Sequence, residues 1–164
     1  PTRGLIGFRS FFLRANRGNG VINSEFLGTE PLRGDVRSTR SGVMVASETG
    51  TAVTYGIRNA QERGETFIDP QTPVYEGMVV GENTRADDMD VNITKEKKLT
   101  NMRTTASDEN IKLEPARQIT LELALEFIEE DELIEVTPDG IRLRKRVLDA
   151  ILRKKAAKAA NQSA

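Results

Sequence analysis

The chain has 164 residues, 37% of them hydrophobic, with 24 Lys and Arg against 25 Asp and Glu, a net charge of −1, and no Cys, His or Trp. That length suits one domain, or one domain plus a piece of another. The missing residue types exclude disulfides, thiol nucleophiles, Ser-His-Asp triads, imidazole acid–base chemistry and Cys- or His-ligated metals, and no apolar run approaches the roughly 18 residues of a membrane span.

A soluble chain with no membrane partner is therefore expected, and a cytoplasmic setting is the milder assumption. The chain opens on Pro1 rather than Met, which reads as part of something longer.

Residues 2–15 read as a helix. Leu5, Phe8 and Phe12 fall at i, i+3 and i+7 on one apolar stripe, with Phe8 and Phe12 expected in a core, while Arg3, Arg14 and Arg17 share the other side. Gly18 and Gly20 end it, and residues 21–27 read as a strand with Ile22 and Phe26 on one side. One helix and one strand cannot bury a core, so this piece is expected to be the tail of a larger α+β unit.

Residues 30–41 form a loop with Pro31, Gly34, Arg33, Arg37 and Arg40. Short apolar runs at 43–46, 66–68 and 78–80 are strand candidates, with a helix over 52–63 closed by Gly64. Residues 85–109 are polar without a period and read as a long loop. A short strand follows at 111–113. Thr120 then caps a helix with Leu121, Ala124, Leu125 and Ile128 on one face. That helix ends on Glu129-Glu130-Asp131, acids at the unfavourable pole of its dipole with no local reason for being there. Thr137-Pro138-Asp139-Gly140 predicts a tight turn between strands at 133–136 and 141–143. Val147, Leu148, Ile151 and Leu152 recur at helical spacing, and the last residues, 156–164, are expected to fray.

No phosphate-binding G-x-x-x-x-G-K-[ST] or G-x-G-x-x-G motif occurs, and Asp87-Asp88-Met89-Asp90 lacks the ligand spacing of a calcium loop. Neither catalysis nor a metal site is expected in this stretch. The better candidate is residues 92–103, NITKEKKLTNMR, whose Lys95, Lys97, Lys98 and Arg103 can neutralise phosphates. No aromatic interleaves them, so shape and backbone recognition is expected rather than base stacking. The alternative is a plain solvated loop. Arg33, Arg37 and Arg40 carry the same ambiguity, as do Arg142, Arg144, Lys145 and Arg146. On a strand, Arg142, Arg144 and Arg146 would share a face opposite Ile141 and Leu143.

Charge falls in blocks: +4 over residues 1–40, −6 over 41–90, +2 over 91–117, −8 over 118–140 and +7 over 141–164. Two arrangements are open. The basic blocks can present one surface to a polyanion, or opposite blocks can pair inside the fold.

The runs RGLIGFRSFFL and RGNGVINSEFLGTEPLRGDV resemble the end of the fifth domain of the BipA/TypA translational GTPases. SETGTAVTYGIRNAQERG, FIDPQTPVYEGMVVGENTR, KKLTNMR and DELIEVTPDGIRLRKR extend the resemblance from residue 3 to about 148. It implies a ribosome-associated GTPase paralogous to elongation factor G, acting in stress adaptation and large-subunit assembly. GTP and Mg are expected on an upstream domain, with no cofactor in this stretch. The implied fold is α+β. Residues 1–29 would end a ferredoxin-like elongation-factor domain. Residues 30–148 would form a mainly β, barrel-like C-terminal domain with one or two helices and a long basic loop, and 149–164 a basic frayed tail. By this resemblance, residues 90–110 match a loop that reaches the ribosomal A site. Lys95, Lys97, Lys98, Asn101 and Arg103 would contact large-subunit rRNA and the tRNA acceptor end, with Asn101 bonding a sugar or base. A second reading is a protein-interaction module docking a basic ribosomal protein or assembly factor through its acidic faces, especially 122–135. The Leu5/Phe8/Phe12 stripe is also a candidate for self-association.

Overall fold

The computed structural model describes residues 2–5, 7–31, 40–96 and 111–162. A 3-10 turn at Thr2–Leu5 precedes the first helix, α1 (Phe8–Ala15). Phe8 stacks on Phe12 with ring centroids 6.2 Å apart and leans on Phe11 at 6.3 Å. Phe8 is nevertheless 41% exposed, so these rings form a local aromatic cluster and Phe8 is not the core residue its spacing suggested. Phe8 and Phe11 also line a cleft shared with Leu123, Glu126 and Phe127. The strand expected over 21–27 does not form: the segment has no regular structure, and Val21, Phe26 and Leu27 stand out in solvent. A strand persists only where another pairs with it, and no described strand runs beside this one.

From β1 (Val43–Ala46) onward the chain builds one sheet. Further strands are β3 (Gly64–Thr66), β5 (Met78–Asn83), β6 (Met89–Val91), β7 (Glu132–Thr137) and β8 (Gly140–Lys145). A separate short ribbon joins β2 (Gly50–Thr51) to β4 (Pro73–Val74). The main order is β6-β1-β5-β8-β7, with β3 also on β5. The central strand is β5. One side of it pairs with β1, while the other side pairs with β8 at Met78 and Val79 and then with β3 from Gly81 to Asn83. The pairings are antiparallel except β6 on β1, which runs parallel with Met44 opposite Met89 and Val45 opposite Asp90. The polar stretch 85–109, expected to be mostly loop, thus contributes a strand at Met89–Val91.

Alternation along β1 sets the layers. Val43 and Val45 face one side of the sheet, Met44 and Ala46 the other, and all four are buried because both faces are covered. Helix α2 (Thr54–Gln61) lays Ile57 and Ala60 on the Met44 face with Val80 and Ile93. Helix α3 (Leu121–Phe127) lays Ala124 and Phe127 on the Val43 face with Val79 and Leu143. The result is an open sheet between two helices. It is not the barrel-like closure expected, because the helices occupy the faces and the main path ends in the edge strands β6 and β7.

Thr120 caps α3 as its residue type demands, its hydroxyl accepting the Leu123 N–H at 3.3 Å. The buried stripe differs from the expected one. Phe127, which meets Phe67 edge-on at 5.4 Å, turns inward, and Leu121 and Leu125 face solvent. The β7–β8 hairpin forms on the Pro138-Asp139 turn, closed by Gly140 at a φ of +154° that side-chain-bearing residues rarely adopt. Residues 111–113 are not a strand, though Leu113 packs against the α2-side core.

The tail expected to fray is instead α4 (Ala150–Gln162). Its start is fixed by one local and one distant acid: the Asp149 carboxylate accepts the Leu152 N–H at 2.8 Å, and the Glu76 carboxylate accepts the Ala150 N–H at 3.1 Å. Both place an acid at the positive end of a helix rich in Ala and Lys.

Candidate nucleic-acid interface

The basic segment beginning at residue 94 grows out of a rigid root. After β6, the Asn92 side-chain oxygen accepts the Thr94 N–H at 3.1 Å and its hydroxyl at 3.0 Å, which turns the chain. Ile93 between them is buried in the α2-side core, and its carbonyl accepts the Val53 N–H at 2.9 Å. Gly56 permits this seating: a Cβ there would lie 2.3 Å from the Ile93 oxygen. Lys95 then emerges exposed.

The other end is pinned to the same helix. Arg58 donates to the Lys112 carbonyl at 3.3 Å. The Gln61 amide donates to the Glu114 carbonyl at 2.8 Å and accepts the Glu114 N–H at 3.0 Å. One short helix and its N-cap thus hold the described residues on both sides of the stretch 97–110. Lys97, Lys98, Asn101 and Arg103 lie outside the described residues, as do Arg33 and Arg37.

The remaining cationic candidates divide sharply. Arg40 reaches Glu132 at 2.7 Å and Glu129 at 3.0 Å, with its guanidinium 4.6 Å above the Phe127 ring. Lys145, 2% exposed, reaches Asp88 at 2.5 Å, Asp131 at 2.8 Å and Glu132 at 2.9 Å. The Glu132 carboxylate, fully buried, is shared by both cations and also accepts the Glu129 N–H. Asp88 accepts the Val43 N–H at 2.9 Å through its second oxygen, tying the cluster to β1. Burial would lower the basicity of Arg40 and Lys145, but their carboxylate partners outweigh it and raise both above their ordinary values.

Arg144 is spent similarly, 2.8 Å from Glu135, whose other oxygen accepts the Tyr75 hydroxyl at 2.5 Å. Burial and that acid together raise the phenol well above its usual range. Arg117 joins Glu82 at 2.8 Å and Glu65 at 3.3 Å beside Phe67. The second arrangement of charge therefore holds for these residues: opposite blocks pair across the fold. It also explains the acids that end α3, since Glu129 and Asp131 face Arg40 and Lys145. The expected three-arginine face does not form, because β8 ends at Lys145; Arg142 is half-buried and Arg146 exposed beyond the strand.

Sequence reasoning missed Asp90. Read as one of a solvated acidic run, it accepts Arg153 at 2.5 Å and pairs with Lys154 at 2.9 Å. Burial pushes its carboxyl up, yet the bonds from Lys154 and Arg153 prevail and hold it below the usual range. The N-cap role of Asp149 was missed as well, although an Asp just before a run at helical spacing is its signal.

No helix among the described residues is long and apolar enough to cross a membrane. A family model described as the TypA/BipA C-terminal domain matches residues 41–150. A large ribosomal subunit assembly factor BipA of Synechocystis sp. is 48% identical over 145 residues, covering 88% of this chain and 24% of that protein. Its namesake in Bacillus subtilis is 46% identical over 159 residues, covering 96% of the chain and 26% of the relative. That of Escherichia coli K12 is 44% identical over 160 residues, covering 97% and 26%. The chain spans about a quarter of the length of these curated relatives.

Proposed function

Since the chain belongs to the TypA/BipA family through its C-terminal domain, we propose that it is the ribosome- and RNA-binding module of a large-subunit assembly factor acting in the cytoplasm. It positions its parent at the A site, in ribosome assembly and stress response. In the parent, GTP and Mg belong to an upstream GTP-binding domain, and this part contributes placement, not chemistry. Lys95, Lys97, Lys98 and Arg103 neutralise phosphates of large-subunit rRNA and the tRNA acceptor end, with Asn101 bonding a sugar or base. The observation that carries this reading is the doubly pinned root on α2: it commits a buried isoleucine, a close-packed glycine and a reciprocal amide pair to presenting a basic segment. The relatives' role in large-subunit assembly supports the same reading. Docking of a basic protein on the acidic face over 122–135 is less favoured, since Glu129, Asp131, Glu132 and Glu135 already bind cations of the fold. Leu5 and Phe8 remain exposed, and sedimentation velocity would show whether two copies meet there.

The test is co-sedimentation with purified large subunits at about 50 and about 200 mM salt, for the chain and for a variant with Lys95, Lys97, Lys98 and Arg103 changed to Ala. About four phosphate contacts predict a log–log salt slope of roughly −3 to −4, largely lost in the variant. Salt-insensitive binding, or equal binding by the variant, would overturn the assignment.

A further inference from the structure

We propose that the outward face of α4 is a second phosphate-binding surface, meeting the same ribosomal RNA as the segment that starts at Lys95. This rests on the ribosome-binding reading above.

The first observation is how α4 is held. Its opening turn is fastened to the body: Glu76 accepts the Ala150 N–H, and Asp90 takes Arg153 and Lys154. Arg153 further donates to the carbonyls of Val147 and Leu148. At about 100° per residue, Ile151, Lys155 and Lys158 fall together on the side away from Arg153, the side turned to solvent. Lys155 and Lys158 are exposed and make no ion pair among the described residues. This sets them apart from Arg40, Arg117, Arg144 and Lys145, which the fold consumes.

The second observation is position. Asp90 lies in β6, the strand that feeds the basic segment through Asn92 and Ile93. The ion pairs from Asp90 therefore bring α4 to the strand from which Lys95 emerges, although the sequence separates the two by more than fifty residues. The start of α4 and the strand leading to Lys95 are thus neighbours.

The third is chemical. Lys154 and Lys158 at i, i+4, and Lys155 and Lys158 at i, i+3, repel one another on an isolated helix. Asp90 neutralises Lys154, but from Ala150 to Gln162 no acid relieves Lys155 and Lys158. A polyanion supplies the missing counter-charge along the helix. With no aromatic in α4 and Ile151 and Leu152 its only large apolar side chains, the face offers little area for a protein partner and suits backbone phosphates better.

The test compares the chain with the double variant Lys155→Gln, Lys158→Gln, which keeps a comparable helix propensity; matching far-UV circular dichroism checks that α4 is intact. Binding is measured against intact large subunits and against protein-free large-subunit rRNA between about 50 and about 200 mM salt. Removing two contacts should flatten the log–log slope by about 1.4–1.8 and weaken binding about 10- to 60-fold at about 100 mM salt on both probes. Wild-type binding with an unchanged variant would overturn the role of α4 and leave the Lys95 segment standing. A loss on subunits but not on bare rRNA would mean that the helix meets a ribosomal protein, which also overturns the proposal. If the wild-type chain binds neither probe, the ribosome-binding reading falls and this inference with it.

Discussion

Changing Lys145 to Met asks whether the paired charge blocks hold the domain together. Lys145 is 2% exposed, and its ammonium lies within 2.9 Å of Asp88, Asp131 and Glu132. Methionine keeps most of the stem's apolar volume, so packing changes little. What disappears is the charge that neutralises three acids drawn from the approach to β6 and the start of β7. Asp88 and Asp131 have side chains 43% and 62% exposed and can rehydrate. Glu132 cannot, being fully buried, though it keeps Arg40 at 2.7 Å and the Glu129 N–H. Breaking a buried pair outright costs roughly 3–5 kcal/mol, and the surviving Arg40 partner places this change at the lower end, about 3 kcal/mol. Urea unfolding followed by circular dichroism should report that loss, with Tm falling by about 6–12 °C. The deficit should persist at high salt, because buried pairs are weakly screened. The net upward shift of Lys145 fixes the sign with pH: its contribution is complete below the unfolded value near 10.4 and declines only as pH rises through the folded one. A loss below about 1 kcal/mol, typical of surface pairs, would refute the view that this ammonium closes the network.

Gly56→Ala should destabilise despite a helix-propensity gain of up to about 1 kcal/mol, because overpacking against a backbone oxygen costs about 1–3 kcal/mol; a Tm equal to wild type would show that α2 does not seat on Ile93. Asp90, held below its ordinary value, contributes stability that is present above the unfolded pKa near 3.9 and lost as pH falls through the folded one. The protection of α4 amides, taken relative to unfolded-chain exchange at the same pH, should therefore fall on acidification, and Asp90→Asn should reproduce the effect at neutral pH; unchanged protection in both would dismiss the tether. Thr120→Ala should cost about 1 kcal/mol by freeing the Leu123 N–H, read from the same urea transitions, and no change would mean that the cap is idle.

Several elements of this fold are local statements, and these the sequence by itself determined. The Pro138-Asp139 turn, the Thr120 cap, helix α2 before Gly64 and the apolar run at β1 each follow from a few neighbouring residues. Family membership was equally legible, since its motifs are contiguous. The sequence also singled out residues 92–103 by their cations, and the structure adds the hydrogen-bonded root at Asn92–Thr94.

Tertiary structure decided what depends on a distant partner. Residues 21–27 have strand-like side chains and no strand to pair with, whereas the polar Met89–Val91 becomes a strand because β1 lies parallel beside it. Phe127 displaces Leu121 and Leu125 from the buried stripe of α3 because Phe67 waits on the opposing face. Above all, charge is ambiguous along a chain. Arg40, Arg144 and Lys145 look like Lys95 and Lys155 in sequence, yet the first three meet buried or half-buried carboxylates and the last two meet solvent. A cation's role follows from the counter-charge within a few ångströms of it, and only the fold brings that neighbour within reach.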